Sequence, residues 1–187
     1  QREVGLDTVS FPAALKHIMR QDPDVIMIGE MRDAESFKAA LTAAATGHLV
    51  LTTLHTSAAG QAVERILHFF PNDERDQIRM RLANNLLAVT CQRLVPSVHN
   101  RVVPAVEIMI NTPTVRKLVQ RNDLDKLEAA IETGTDDGMQ TFDQALYGLI
   151  QEGTITEDAG MLFASNPESL KMRMKGIFLD ESRRILS

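Results

Sequence analysis

Apolar residues recur at helical spacing early in the chain and then give way to a short, continuous apolar run. Between residues 11 and 21 they fall every three or four positions, which predicts a helix. Asp22 and Pro23 end that helix, because the residue before a proline is driven out of the α region. Residues 25–28 are uninterrupted and largely β-branched, which is typical of a strand buried on both faces of a parallel sheet.

A second helix and a second strand follow this run. Asp33 is the predicted N-cap of a helix over residues 34–46, and Gly47 is its predicted end. Residues 49–54 form another apolar stretch, followed by a turn of small residues and a helix that ends near residue 68. Strand, helix and strand with short links predict a crossover unit, and hence a parallel sheet covered by helices.

The remainder of the chain is mostly helical in pattern. The spacing predicts one helix over 73–94 and a strand over 102–110. Thr141 and Gln144 fit a capping box at the start of a later helix. The helices predicted beyond the strand cover residues 112–121, 124–133, 141–152, 156–165 and 167–179. The composition of the chain changes near Asn111. This change predicts an α/β part, residues 1–111, followed by a helical domain, residues 112–187.

Composition and charge exclude several classes of function. The 20 Lys and Arg residues against 25 Asp and Glu residues give a net charge of −5, without any basic block. Nucleic acid is therefore not expected as a partner, because phosphate binding needs concentrated cations. Every apolar run falls far short of the roughly 18 residues of a membrane span. Cys91 and the five histidines lack the spacing of a zinc site, so no direct metal site is predicted. The first residue is Gln1 rather than Met, and we expect a longer parent protein.

The first candidate for chemistry is the carboxylate at the end of the first predicted strand. Glu30 follows that strand directly, and Gly29 allows a ligand to approach the backbone closely. In open parallel sheets, ligands bind beyond the carboxyl ends of the strands. There Glu30 can polarise a water for attack on a phosphate, or hold Mg²⁺ through water. The alternative is a solvated glutamate in an ordinary strand-to-helix loop.

The second candidate is a pair of histidines on either side of the next strand. His48 precedes the strand and His55 follows it. Seven residues of strand span roughly 23 Å, so the two imidazoles cannot share one ligand if the strand is regular. His55 is expected on the same edge as Glu30, where its N–H can report the presence of a γ-phosphate. The alternative is that both histidines cap strand ends through backbone hydrogen bonds.

Several longer stretches together resemble the type II/IV secretion ATPase superfamily, and within it the type IV pilus retraction motors of the PilT/PilU kind. The matching stretches are residues 1–5, 22–33, 46–56, 68–71, 112–119 and 138–146. The resemblance implies a partial RecA-like core with a mostly parallel sheet, then a small helical subdomain. It implies ATP and Mg²⁺ as substrate and cofactor in the parent. The parent is then expected to be a cytoplasmic hexamer. It is peripheral to the inner membrane when it docks on a pilus platform protein, and a paralogous motor is a further possible partner.

The resemblance also assigns roles to individual residues. Glu30 matches the Walker B glutamate that activates water, while Gly29 replaces the Mg²⁺-binding aspartate of many other P-loop ATPases. His48 and His55 match the family's His box, with His55 near the γ-phosphate and both counted as nucleotide-binding. Residues 114–119 match a helix that the family links to retraction.

Two absences from the sequence shape the expected function. The phosphate-binding G-x-x-x-x-G-K-[ST] pattern does not occur in these 187 residues, so the chain alone is expected to bind ATP very weakly and not to hydrolyse it. The tetracysteine insert of many pilus-assembly and export motors is also missing, which favours a motor that powers pilus retraction and twitching motility. Two alternatives stay open: a non-catalytic accessory subunit of a pilus motor, and a type II secretion or pilus-assembly ATPase.

Overall fold

A computed structural model describes residue 3 and residues 5–177 of the chain. Its contacts group the chain into two compact units, one of Gln1–His55 with Glu64–Leu86 and the other of Thr56–Val63 with Leu87–Ser187. The described elements, in chain order, are α1 (Phe11–Ile18), β1 (Val25–Glu30), α2 (Ala34–Ala45), β2 (Leu49–Thr53), α3 (Ala59–His68), α4 (Asn72–Asn85), β3 (Ala88–Pro96), β4 (Val102–Ile110), α5 (Pro113–Arg121), α6 (Leu127–Thr133), α7 (Phe142–Gln151), α8 (Glu157–Phe163) and α9 (Pro167–Met174).

The first unit contains the predicted crossover. β1 and β2 pair in parallel, with Val25 opposite Leu49, and α2 connects them. The Asp33 carboxylate accepts a hydrogen bond of 2.8 Å from the Ser36 N–H, which confirms the predicted cap of α2. Gly47 adopts a φ of +96° just beyond α2, a left-handed conformation that glycine tolerates without strain.

The prediction that the first strand is buried on both faces is wrong for the described structure. Ile26 and Ile28 are buried, but Val25 and Met27 alternate with them on the other face, and Met27 is 73% exposed. Leu51, opposite Met27, is also exposed. One face of this two-stranded sheet is therefore covered, and the other presents apolar side chains that the described residues leave open.

The predicted helix over 73–94 is also wrong in its second half. α4 ends at Asn85, and Leu86 is extended with a ψ of 137°. Residues from Ala88 onward instead form β3, which pairs with β4 in an antiparallel register from Ala88–Ile110 to Pro96–Val102. Long-range pairing with β4 thus overrides the apolar spacing that continued the helical pattern along the sequence.

The second unit combines this hairpin with the helices that follow it. The predicted strand over 102–110 is confirmed, and α5 to α9 match the five predicted helices within a few residues. Residues 178 and 179 of the last predicted helix lie outside the described residues, as do Gln1, Arg2 and Val4 of the first matching stretch. The backbones of Ile108 in β4 and Gln140, just before α7, form an antiparallel bridge that ties the hairpin to the helical region. The domain boundary predicted after residue 111 stays a prediction.

Candidate functional site

A bulge at the end of β1 determines where Glu30 lies. The register is regular to Ile28, opposite Thr52, and then skips Gly29 so that Glu30 lies opposite Thr53. The Thr53 hydroxyl donates a hydrogen bond to the Gly29 carbonyl and holds the bulge. Bulges of this kind re-aim a side chain at the end of a strand. An added Cβ at Gly29 would meet no described atom within 4 Å, so the space beside the backbone here is open to a ligand.

The structure brings Glu30 and His55 together, as the sequence predicted for the ends of neighbouring parallel strands. His55 lies two residues beyond β2, and its Nε2 is 3.2 Å from Glu30 Oε1. The Glu30 side chain is about 26% exposed and that of His55 about 88%, so both can reach a bound molecule. A carboxylate and an imidazole therefore face solvent together at the carboxyl edge of the sheet.

Arg32 is the third member of this group, and sequence reasoning missed it. Its Nη2 lies 2.6 Å from Glu30 Oε2. This hydrogen bond is the main reason that the pKa of Glu30 lies below its ordinary value, against the opposing effect of desolvation. The same contact raises the pKa of Arg32. The available signal was the position of Arg32 two residues after the acid, at the start of the loop to α2.

His48 lies at the other end of β2 and is not brought together with Glu30. Its Nδ1 is 3.1 Å from the Ala43 carbonyl oxygen and 3.2 Å from Thr46 Oγ1, both at the C-terminal end of α2. These contacts match the alternative considered for this residue, a histidine that caps backbone groups. A nucleotide contact from His48 stays a prediction of the family resemblance.

The donors and acceptors at this edge suit a phosphate and a polarised water. Glu30 is ionised near neutral pH and accepts protons or hydrogen bonds, whereas Arg32 and His55 offer N–H groups to an oxyanion. Within residues 3 and 5–177, no group of three or more His, Cys, Asp or Glu side chains is placed to hold a metal ion. Cys91 is buried, and burial raises the pKa of its thiol, as expected of an inert cysteine.

The family model described as "Type II/IV secretion system protein" matches residues 5–174 of the chain. The type IV pilus ATPase PilU of Pseudomonas aeruginosa is 47% identical over 94% of this chain and 46% of its own length. The retraction ATPase PilT of the same organism is 43% identical over 90% of this chain and 49% of its own. The chain thus spans about half the length of these curated relatives.

A solved structure of the pilus retraction motor PilT with bound ADP superimposes with a TM-score of 0.80 at 40% identity. The matched region covers 91% of this chain and 48% of the PilT chain in that structure. This likeness confirms the expected α/β ATPase fold.

Over the described part of the chain, every helix is too short or too polar to cross a bilayer.

Proposed function

Because the chain belongs to the type II/IV secretion system protein family, we propose that it carries part of the catalytic site of an ATP-hydrolysing motor that retracts type IV pili. The observation that carries this proposal is the 3.2 Å contact between Glu30 and His55 at the carboxyl edge of the parallel sheet. Ligands bind at this edge in open α/β sheets. The PilT relative and the solved PilT structure, both named for retraction, support the choice of retraction.

Glu30 is assigned the role of orienting and activating the attacking water. Its carboxylate is held ionised by Arg32 and projects from the end of β1, so one oxygen can accept a hydrogen bond from a water and orient it for in-line attack on a phosphorus atom. Arg32 occupies Oε2 and His55 contacts Oε1. The approach of a phosphate to His55 would leave Oε1 free for the water.

His55 is assigned the role of donating a hydrogen bond to a phosphate oxygen. An imidazole N–H donates a hydrogen bond to an oxyanion, and this bond strengthens as negative charge develops during transfer. The exposure of His55 leaves it free to exchange Glu30 for that oxygen. The same exchange makes the position of His55 depend on whether a γ-phosphate is present, which is the property needed to couple nucleotide state to movement.

The site fits Mg²⁺ only indirectly in this chain. Among the described residues, Glu30 is the one carboxylate in the ion pairs at this edge, and it is already paired with Arg32 and His55. Of the residues described, Glu30 would hold the ion through a water rather than directly. When bound with ATP, Mg²⁺ neutralises phosphate charge.

The assembly proposed for the complete protein is a hexamer in the cytoplasm that docks on an inner-membrane platform protein. Residues 114–119 lie in α5, where Val115, Leu118 and Val119 are buried. Arg116 and Lys117 are exposed on the same helix. The buried face fixes α5 in the helical region, and the exposed cations are available to a neighbouring subunit or platform.

The test compares ATP hydrolysis by the full-length protein with that of its Glu30→Gln variant. We expect turnover to fall about 10²-fold or more, because the amide cannot take a proton from water. Glu35→Gln is the matched control, since Glu35 is an exposed glutamate in the first turn of α2. Its turnover should stay within about twofold of the parent. A Glu30→Gln protein that keeps more than half of the parental rate would contradict the assignment.

Retraction itself is tested in cells that lack every other motor of this kind. Twitching motility should disappear with Glu30→Gln and persist with Glu35→Gln. Motility that survives the Glu30→Gln substitution would favour an accessory subunit whose own catalysis is dispensable.

A further inference from the structure

The second unit contains a buried carboxylate that the proposed chemistry does not use. Glu107 lies in β4 and is only 5% exposed. Alternation along the strand points it inward with Ala105 and Met109, both buried. A charged side chain is almost never fully buried unless it is paired, so its partners should reveal its role.

Glu107 accepts a hydrogen bond from the first residue of one helix and lies close to the start of a second. Its Oε1 lies 2.6 Å from the backbone nitrogen of Ala59, where α3 begins. The backbone N–H of Phe142, where α7 begins, is close enough to lower the pKa of this carboxylate. Both N–H groups are among those that a helix leaves without an internal partner, and both carry the positive end of a helix dipole. One carboxylate therefore lies beside the starts of both α3 and α7.

The charge of Glu107 is opposed by burial and supported by these partners. Burial raises its pKa, while the Ala59 N–H, the positive charge of Arg93 and the Phe142 N–H act in the other direction. Arg93 lies on β3, and its guanidinium carbon is 3.9 Å from the centre of the Phe142 ring. The group is thus a compact cluster in which the helix starts and the hairpin share polar contacts.

The segment held by this cluster directly follows His55. Residues 56–58, which we call the link, connect His55 to the start of α3. Arg93 Nη2 donates a hydrogen bond of 3.3 Å to the Ser57 carbonyl, and Glu107 binds Ala59 at the far end of the link. Four residue steps span at most about 14 Å of extended chain. A shift of Ala59 therefore changes the positions that His55 can reach.

We propose that Glu107 is a positioning residue for His55, acting through the start of α3 and the link, and that the cluster it forms with Arg93 and the start of α7 couples the site to the helical region. The inference rests on the proposed role of His55 at the phosphate. Displacement of α7 disturbs the contact of Arg93 with the Phe142 ring, loosens the cluster at the start of α3 and relaxes the hold on His55. In the reverse direction, movement of His55 towards a phosphate pulls on the same carboxylate.

A double-mutant cycle on the full-length protein tests this route. His55→Ala should lower kcat about 10²-fold. Glu107→Ala should lower kcat about 10-fold or more with little change in KM, since small misplacements of a catalytic group are costly. The double variant should lie within about twofold of His55→Ala alone, because a residue that acts only through His55 has nothing left to position. Changes at independent sites would instead multiply.

Two further variants separate positioning from general loss of structure. Glu107→Gln keeps an oxygen that accepts the Ala59 N–H, so it should restore kcat to within about threefold of the parent. Met109→Ala is the matched control, since Met109 is 0% exposed and points inward from the same strand. Its effect on kcat should be small, and it should multiply with that of His55→Ala. If Glu107→Ala does not fold, Glu107→Asp replaces it in the cycle, because the shorter side chain cannot reach the Ala59 N–H from the same position in β4.

The outcomes separate this inference from the proposed function. Independent, multiplying effects of Glu107→Ala and His55→Ala would overturn the positioning role, as would a Glu107→Ala protein with parental kcat. Either result leaves the function of Glu30 and His55 intact. A His55→Ala protein with parental kcat would overturn the proposed role of His55 and this inference with it.

Discussion

Removing the carboxylate of Asp143 should loosen the helical region at one defined place. Asp143 is buried in the first turn of α7 and accepts hydrogen bonds of 2.7 and 2.9 Å from the backbone N–H groups of Ser165 and Asn166. These two residues lie between α8 and α9. The Asp143→Ala variant deletes both acceptors, so the segment before α9 loses these two hydrogen bonds to α7.

The structure sets the size of the effect. A hydrogen bond to a charged group contributes about 1.5–3 kcal/mol, so two such bonds give a gross loss of about 3–6 kcal/mol. Ser165 and Asn166 are exposed, and water can satisfy their freed N–H groups. The expected net loss of unfolding free energy is therefore about 2–3 kcal/mol, at or just below the lower limit of this gross range. Asp143→Asn keeps one oxygen acceptor and should lose about 1–2 kcal/mol.

Urea unfolding followed by tyrosine fluorescence is a suitable assay. The sequence has one tyrosine, Tyr147, and no tryptophan, and this tyrosine lies in α7 itself. Asp136→Ala is the control, because Asp136 is exposed and should change the free energy by less than about 0.5 kcal/mol. A loss below about 0.5 kcal/mol for Asp143→Ala would refute the account of these hydrogen bonds.

Two further predictions concern the candidate site in the full-length protein. Arg32 holds the pKa of Glu30 below its ordinary value, so activity that needs the ionised acid is lost only as pH falls through that lowered pKa. Arg32→Gln should move the acidic limb of the pH–rate profile to higher pH, and an unmoved limb would contradict this cause. His48→Ala removes the contacts to the end of α2, so we expect about 1 kcal/mol less unfolding free energy and kcat within about twofold of the parent. A large fall in kcat would instead support the nucleotide contact that the family resemblance implies for His48.

The sequence predicts those parts of the fold that depend on local signals. The β-branched run before Gly29 marks β1, and Asp33 marks the start of α2. The capping box of Thr141 and Gln144 is present at the start of α7. Each signal acts within a few residues, so it can be seen without knowledge of the rest of the chain.

The failures concern contacts between distant residues. β3 continues the apolar spacing of α4, and its partner β4 becomes visible only when the two strands pair. The burial of one face of β1 rather than two depends on what covers the sheet. Arg32 and Glu107 were missed because a charged residue near an acid, or within an apolar strand, gains a role only from its neighbours. For Glu107 the usable signal was an acid at an inward position of an alternating strand.

The bulge at Gly29 separates the part of β1 that pairs regularly with β2 from the position of the Glu30 side chain. Because β1 pairs regularly up to Ile28 and only then bulges, the aim of the Glu30 side chain is set independently of the ladder that anchors it. Substitutions between Val25 and Ile28 can thus tune the strength of the strand pairing while the acid keeps its direction. Deleting Gly29 would do the opposite and turn the Glu30 carboxylate away from His55, while the pairing up to Ile28 stays unchanged. The strength of the strand pairing and the direction of the Glu30 side chain can therefore be altered by separate changes in β1.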